Sequence, residues 1–276
     1  MRHSGRLLLL AGLGLAAATG CGGEERPAAQ ARARPLAIEV TEPSPGRYRF
    51  RAPARVPAGM VRMTLRNAGM SEHRAQLVRV EGRHTAGEVL RARRGGGRIP
   101  GWLSFAGGVG VTRPGRTASV TQPLRPGTHY LVGATGDRGT PARLEVVGEA
   151  ARSEPPRPGA SIESTEYSFA GTGLRPGRNA VRFHNAGFEP HHVVAVPIRR
   201  GSTLADVRDV LEGRGSGRSP VDLDRAQETA ILDEGQTQVT ELDLRPGSYA
   251  LLCFVRDRGG GPPHVARGMV DGITVR

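Results

Sequence analysis

The chain contains an internal duplication, and this duplication constrains its fold more than any other feature of the sequence. The segment "NAGMSEHRAQLVRVEG" at 67–82 matches "NAGFEPHHVVAVPIRR" at 185–200. The segment "LRPGTHYLVGATGDRG" at 124–139 matches "LRPGSYALLCFVRDRG" at 244–259. "LRPG" occurs again at 174–177, and its proline and glycine are typical of a turn between strands. The matches are offset by 118 and 120 residues, so we predict two copies of one structural plan.

Short strands joined by turns are the predicted structure of each half. The chain has 21 prolines, 40 glycines and few apolar periods of helix length, which is typical of a β-rich protein. One short helix is predicted in each half, near 86–93 and 203–212. We therefore predict an all-β protein of two tandem β-sandwiches, at 36–148 and 160–276, with a linker at 149–159.

The N-terminus has the layout of a secretory signal. Two arginines precede an apolar run from Leu7 to Ala18, and small residues then lead into Cys21. This run is shorter than the roughly 20 residues that a membrane-spanning helix needs. The ending "ATGC" resembles a bacterial lipobox, which implies a signal peptide over 1–21, a lipid on Cys21 and a flexible tether over 22–35. The implied location is the extracytoplasmic face of a bacterial membrane; the alternative is an ordinary signal peptide with a chance cysteine.

Basic charge is concentrated in the first half of the chain. Residues 36–148 hold 18 arginines and 7 acidic residues, a net charge of +11, whereas residues 160–276 hold 14 and 15, a net charge of −1. Lysine is absent, so the 39 basic residues are all arginine, which indicates a compositional bias. We therefore predict no nucleic-acid partner. The basic half suits anionic lipid headgroups or an acidic partner, or is simply a solvated surface.

Cys253 is the one thiol expected in the folded part of the chain, because Cys21 carries the predicted lipid. No intramolecular disulfide can form there, and a lone thiol in an oxidising compartment needs to be buried or bound. When the "LRPG" segments are aligned, Gly133 stands opposite Cys253. The second half has Cys, His and Met where the first half has none, so we predict that the second half carries the functional site.

These residues resemble those of a known family. "NAGFEPHHVV" at 185–194 resembles the plastocyanin segment Asn-Ala-Gly-Phe-Pro-His. "PGSYALLCF" at 246–254 and "PPHVARGMVDGITV" at 262–275 resemble the C-terminal part of cupredoxins, where a strand ends in Cys and a loop returns a His and then a Met. The resemblance implies a cupredoxin-like Greek-key sandwich in each half and one type 1 copper in the second. The ligands that it implies are His191, Cys253, His264 and Met269.

The chemistry of these four side chains suits copper on separate grounds. Two imidazoles, a thiolate and a thioether form a soft to borderline set that binds copper in both oxidation states. Zinc would more naturally take a further cysteine, histidine or carboxylate than a methionine. Each residue also has an ordinary alternative: Cys253 as a small buried hydrophobe, Met269 as part of the core, and the two histidines as turn or loop residues.

The spacing of the implied ligands agrees with the family in one place and departs from it in another. Four residues separate His264 from Met269, as in many cupredoxins, and "PPHVARGM" also resembles the type 1 domain of copper nitrite reductases. Ten residues separate Cys253 from His264, which is more than in most small blue copper proteins. The extra residues, "RDRGGGPP" at 256–263, are rich in glycine and predict a flexible loop.

The adjacent histidines are distinguished by comparison between the halves. Neighbouring residues on a strand face opposite sides, and the matching pair in the first half is His73 and Arg74. Since an arginine is expected to face outward, we predict that His191 faces the site and that His192 faces solvent. His192 stands where plastocyanin has an asparagine that braces the ligand loop, so that brace is expected to be missing or replaced. An exposed His192 is either a port for electron exchange or a plain surface residue.

Three functions are compatible with this sequence. The predicted function is one-electron transfer with a redox partner protein, or copper handling, by a lipoprotein attached to a membrane. The alternative is a cupredoxin-like module that binds a protein or small molecule without copper. A copper oxidase or nitrite reductase would need further copper centres, marked by His-x-His pairs and a histidine beside the cysteine. Leu252 and Phe254 flank Cys253 and His-x-His is absent, so independent catalysis is not predicted.

Overall fold

The computed structural model describes residues 33–94, 97–134, 139–149, 154–215 and 217–276. The predicted signal peptide and Cys21 lie outside these residues, as does the tether up to residue 32. Within the described part of the chain, no helix has the length and hydrophobicity required to cross a bilayer. Lipid attachment at Cys21 therefore stays a prediction.

The described residues of the first half form nine strands and one helix. They are β1 (Arg34–Ser44), β2 (Arg47–Arg51), β3 (Arg55–Pro57), β4 (Gly59–Asn67), β5 (His73–Val80), α1 (Ala86–Arg94), β6 (Leu103–Thr112), β7 (Thr117–Leu124), β8 (Gly127–Val132) and β9 (Ala142–Val147). Strands β2-β1-β4-β7 lie side by side in one sheet, and β3-β9-β8-β5-β6 form the facing sheet. In β2, Tyr48 and Phe50 are buried while Arg47, Arg49 and Arg51 are exposed, so alternate residues of this strand point into the core.

In the second half, the part of the chain that the structure describes forms eight strands, one α-helix and two 3₁₀ helices. They are β10 (Ala160–Thr165), β11 (Ser168–Thr172), β12 (Gly177–Asn185), β13 (Val194–Pro197), α2 (Leu204–Leu211), a 3₁₀ helix (Leu223–Arg225), β14 (Gln227–Glu228), β15 (Thr237–Leu244), β16 (Gly247–Leu252), a second 3₁₀ helix (His264–Arg267) and β17 (Val270–Val275). Strands β11-β10-β12-β15 lie in one sheet and β14-β13-β16-β17 in the other.

The strand orders confirm the duplication predicted from the sequence. The order β11-β10-β12-β15 repeats β2-β1-β4-β7, and β14-β13-β16-β17 repeats β6-β5-β8-β9. The first strand of each half pairs in parallel with the third or fourth, β1 with β4 and β10 with β12. The protein is thus all-β, with two tandem β-sandwiches of the same strand order. The two helices lie where they were predicted, and α2 begins with a capping box formed by Thr203 and Asp206.

The three "LRPG" segments form the predicted turns between strands. They connect β7 to β8, β11 to β12 and β15 to β16. Their glycines, Gly127, Gly177 and Gly247, have φ angles of 125°, 92° and 141°. Side chains with a Cβ rarely adopt such angles, so glycine is required at the end of each turn.

The two halves share one sheet. Strand β15 pairs with β7 through Val239–Thr121 and Thr240–Val120, so their four-stranded sheets join into a single eight-stranded sheet. Residues 228–233, which we call the strap, continue from β14 and run between the two halves. The strap forms backbone hydrogen bonds to Phe105 and Gly107 of β6 on one side and to His191 and Val193 on the other. The first half therefore lies directly behind the segment that carries the adjacent histidines.

Candidate metal centre

Three of the predicted ligands converge at one end of the second sandwich. The Sγ atom of Cys253 lies 3.8 Å from Nδ1 of His191 and 3.5 Å from Nδ1 of His264. The two Nδ1 atoms are 3.1 Å apart. All three residues have no solvent exposure. They form the one group of His, Cys, Asp or Glu side chains within the described residues that could hold a metal ion.

The spacing of these three atoms fits a first-row metal ion. Metal bonds of about 2.0 Å to nitrogen and about 2.3 Å to sulfur, arranged in a plane, separate the nitrogens by about 3.5 Å and each nitrogen from the sulfur by about 3.7 Å. The observed separations lie within about half an ångström of these values. Because the donors are two imidazoles and a thiol, the cluster fits a type 1 copper site.

Backbone hydrogen bonds within the loop at 254–263 and just beyond it place Cys253 beside His264. Cys253 directly follows β16, and its carbonyl oxygen accepts a hydrogen bond of 2.7 Å from the backbone N–H of Val265. The N–H of His264 donates in turn to the carbonyl of Val255, at 2.8 Å. The 3₁₀ helix that starts at His264 ends at Gly268, which has a left-handed φ of 91°. These bonds fix the loop on both sides of the imidazole.

The turn "NAG" holds His191 from the opposite side. The side-chain oxygen of Asn185 accepts a hydrogen bond from the N–H of Gly187, and its amide donates to the carbonyls of Glu189 and Leu232 at 2.8 and 3.0 Å. His191 also exchanges two backbone hydrogen bonds with Leu232 in the strap. The turn is therefore a rigid frame that presents the first histidine to the thiol.

Met269 lies in the same buried cluster of side chains as Cys253 and has no solvent exposure. Its backbone N–H donates a 3.0 Å hydrogen bond to the carbonyl of His264. Met269 thus lies just beyond the 3₁₀ helix that begins with His264. Its role as an axial ligand stays a prediction.

The loop predicted to be flexible is instead anchored, and it supplies a partner for His264. Nε2 of His264 lies 3.0 Å from a carboxylate oxygen of Asp257, which also bonds the hydroxyl of Tyr167 and pairs with Arg267. The Tyr167 ring packs edge-on against His264, with centroids 5.4 Å apart. Metal-ligating histidines commonly donate their other N–H to such a carboxylate, which fixes the tautomer.

Sequence reasoning missed both Asp257 and Tyr167. The pattern Tyr-x-Phe occurs at 48–50 and again at 167–169, so the duplication carried a signal for the tyrosine. Nothing in the pattern indicated that Asp257 would meet His264, because this contact depends on how the loop folds back.

The prediction that His192 faces solvent is wrong, because only 5% of its surface is exposed. Its Nε2 accepts a 2.9 Å hydrogen bond from the backbone N–H of Phe254, and its Nδ1 lies 2.9 Å from the carboxylate of Glu228. The two rings do point to opposite sides, but the side away from the site faces the first half of the chain. His192 therefore supplies the brace that was expected to be missing or replaced, and it lacks the exposure that a port for electron exchange needs.

In the first half, protein side chains occupy the place that corresponds to the ligand cluster of the second half. His73 is buried, and its Nε2 lies 3.4 Å from Glu42. The Tyr48 ring packs against it with centroids 5.7 Å apart, and the Tyr48 hydroxyl accepts a 2.8 Å hydrogen bond from the N–H of Gly133. Where the second half has the thiol of Cys253, the first half thus has a glycine bonded to a tyrosine hydroxyl. Its side chains offer no thiolate at this point.

Burial determines the charges of the three clustered groups. It raises the pKa of the Cys253 thiol to about 12. Burial, together with the neighbouring His264, lowers the pKa of His191 to about 4. Burial also lowers the pKa of His264, although Asp257 acts in the opposite direction. At neutral pH the three free groups are therefore uncharged, and binding of a metal cation requires the thiol to lose its proton.

No protein-family model matches the sequence, and no curated protein does. Among solved structures, a reduced auracyanin from the photosynthetic bacterium Roseiflexus castenholzii is similar to 42% of this chain over 94% of its own, with 24% identity and a TM-score of 0.27. A multicopper oxidase is similar over 88% of this chain and 89% of its own, with 14% identity and a TM-score of 0.25. A copper nitrite reductase from Thermus scotoductus is similar over 88% of this chain and 61% of its own, with 14% identity and a TM-score of 0.23. The assignment of a copper site rests on this chain's own ligand atoms.

Proposed function

We propose that this chain is a type 1 copper protein that carries single electrons. The observation that carries the proposal is the convergence of His191, Cys253 and His264, whose ligand atoms face one another within 3.8 Å. Copper bound there would supply one-electron chemistry. The side chains of this protein hold the ligands in nearly fixed positions, and a site that rearranges little exchanges electrons quickly.

Burial of the ligands supports electron transfer over delivery of copper. A protein that hands its metal to another must expose ligands during the exchange, whereas His191, Cys253 and His264 have no exposed surface. The loop that covers them is tied down by Arg258, whose N–H donates to Glu189 and whose guanidinium pairs with Asp233. An electron, unlike an ion, can cross such a closed shell.

We further propose that the protein acts outside the cytoplasm, anchored by a lipid on Cys21, with a redox partner protein. The signal-like N-terminus and the lipobox-like "ATGC" support this location. We propose a carrier rather than an enzyme because neither neighbour of Cys253 is a histidine that could link it to a further copper centre. A purified protein that turns over oxygen or nitrite would contradict the last point.

Copper titration of the full-length chain in detergent tests the proposal. We expect an intense blue absorption band and a narrow copper hyperfine splitting in the EPR spectrum, both lost in Cys253→Ser. A reversible one-electron potential should accompany them. Met269→Leu is the matched control, because it removes the proposed axial sulfur while it keeps the three clustered ligands.

Each other outcome assigns a different function. Tight Cu(I) binding without a reversible potential would indicate copper handling. A colourless protein that also fails to hold Cu(I) would overturn the proposal and favour a copper-free binding module.

A further inference from the structure

A line of polar contacts runs from the first half of the chain to the backbone beside Cys253. The guanidinium of Arg74 pairs with the carboxylate of Glu228, which lies 2.9 Å from Nδ1 of His192. Nε2 of His192 then accepts the 2.9 Å hydrogen bond from the N–H of Phe254. We call this series of contacts, from Arg74 through Glu228 and His192 to Phe254, the relay. Since Phe254 directly follows Cys253, the relay ends one residue from the thiol.

The relay is shielded from solvent along most of its length. Exposure of the side chains falls from 25% at Arg74 to 13% at Glu228 and 6% at His192. Burial acts to raise the pKa of Glu228, but the contacts with His192 and Arg74 outweigh it and lower the pKa. Glu228 is thus an anion held between two partners, and the loss of either would leave a buried charge poorly compensated.

The strap also connects the first half to His191. The side chain of Gln76 donates to the carbonyl of Ile231 at 3.0 Å and accepts from its N–H at 2.8 Å. The next residue, Leu232, exchanges two backbone hydrogen bonds with His191. Gln76 is buried, so these bonds are formed away from competing water.

Close packing leaves the strap no room to shift. A Cβ atom on Gly110 of β6 would come within 1.7 Å of the carbonyl oxygen of Glu228, so the first half touches the strap backbone at this glycine. On the other side, the hydroxyl of Thr229 accepts a 3.0 Å hydrogen bond from the N–H of Val193. The strap is therefore held between β6 and the segment that follows the adjacent histidines.

We propose that the first half is part of the scaffold of the copper site: Arg74, through Glu228 and His192, positions the loop of Cys253. Gln76 positions His191 through the strap. This inference rests on the proposed function, and it gives the half without ligands a role in setting the metal geometry. Arg74, Gln76, Glu228 and His192 are positioning residues, since none of them belongs to the ligand cluster.

Arg74→Gln in the full-length chain tests the relay. We expect copper affinity to fall by about 10- to 100-fold, the loss typical of residues that orient metal ligands. At saturating copper the blue band and the EPR splitting should also change, which a loss of general stability alone would not cause. Thermal unfolding of the copper-free variant checks that it folds.

Arg62→Gln is the matched control. Arg62 lies 3.9 Å from Glu241 of the second half, so it is also an arginine in an ion pair between the halves. Its side chain is 58% exposed, and its strand, β4, belongs to the shared sheet rather than to the sheet behind the strap. Affinity and spectrum should stay as in the wild type.

Two variants of His192 keep the inference testable if Arg74→Gln fails to fold. His192→Asn offers an oxygen that can accept the hydrogen bond from Phe254, whereas His192→Leu offers none. We expect the spectrum of His192→Asn to lie closer to the wild type.

Three results would overturn the inference, and they differ in whether they also affect the proposed function. A blue wild type with an unchanged Arg74→Gln, or two His192 variants with the same spectrum, would refute the relay alone. A wild type that takes up no copper would refute the proposed function and the relay with it.

Discussion

Lowering the pH from 8 to 6 should weaken copper binding by about 100-fold. The pKa of Cys253 is raised to about 12 by burial, so the thiol of the copper-free protein keeps its proton over this range. The pKa of His191 is lowered to about 4, so its imidazole is neutral over this range, and burial lowers the pKa of His264 as well, which favours its neutral form. Each copper ion therefore releases one proton, and the apparent binding constant should change about tenfold per pH unit.

The assay is competition between the protein and a Cu(I) chelator whose own pH dependence has been calibrated. Proton release can be counted independently with a pH indicator in weakly buffered solution, where we expect one proton for each copper bound. Cys253→Ser is the control and should show neither tight binding nor this release. An affinity that is independent of pH would mean that the thiol is already ionised, and a release of two protons would mean that an imidazole is charged. Either result would refute the reasoning.

Three further substitutions test the scaffold through urea unfolding. Burial raises the pKa of Asp233 to about 6 although Arg258 opposes it, so the folded state binds the proton more tightly than the unfolded state does. The wild type should lose about 2 kcal/mol relative to Asp233→Asn between pH 4 and pH 7, and a difference that is constant with pH would contradict this. Asn185→Ala leaves the buried partners of the "NAG" turn unpaired and should cost at least about 2 kcal/mol; a cost near zero would show that the turn does not depend on this amide. Tyr48→Phe removes the acceptor for the N–H of Gly133 and should cost about 1–3 kcal/mol, without effect on copper binding.

The duplication made much of the fold predictable. The repeated "LRPG" turns, the two short helices and the β-rich composition led to two tandem sandwiches, and the strand orders confirm this. Of the candidate ligands, His191, Cys253 and His264 meet as the family resemblance implied. These features are local in sequence or repeated, so pattern and spacing were enough to find them.

The environment of His192 could not be predicted in the same way. Strand alternation correctly turned its ring away from the site, but alternation does not say what lies on that side. The contact with Glu228, and through it with Arg74, depends on how the two halves dock. The pairing of β7 with β15 is part of this docking, and edge pairing leaves no periodic mark in a sequence.

The loop at 256–263 shows a second limit. Its glycines indicate freedom of the backbone, and in an isolated peptide that inference would hold. In the folded chain Arg258 bonds Glu189, Leu103 and Asp233, which are distant in sequence. The order of this loop thus comes from long-range charge contacts rather than from its own composition.

The joining of β7 to β15 has a consequence for the solubility of each half. In a separate sandwich either strand would lie at a sheet edge, with unpaired N–H and C=O groups open to any extended chain. Their pairing at Val239–Thr121 and Thr240–Val120 covers part of both edges, and β2 and β11 then lie at the ends of the long sheet. A fragment cut at the linker would expose the edge of β15 and should aggregate, even though all four proposed ligands lie within it. Each half thus protects the other from self-association.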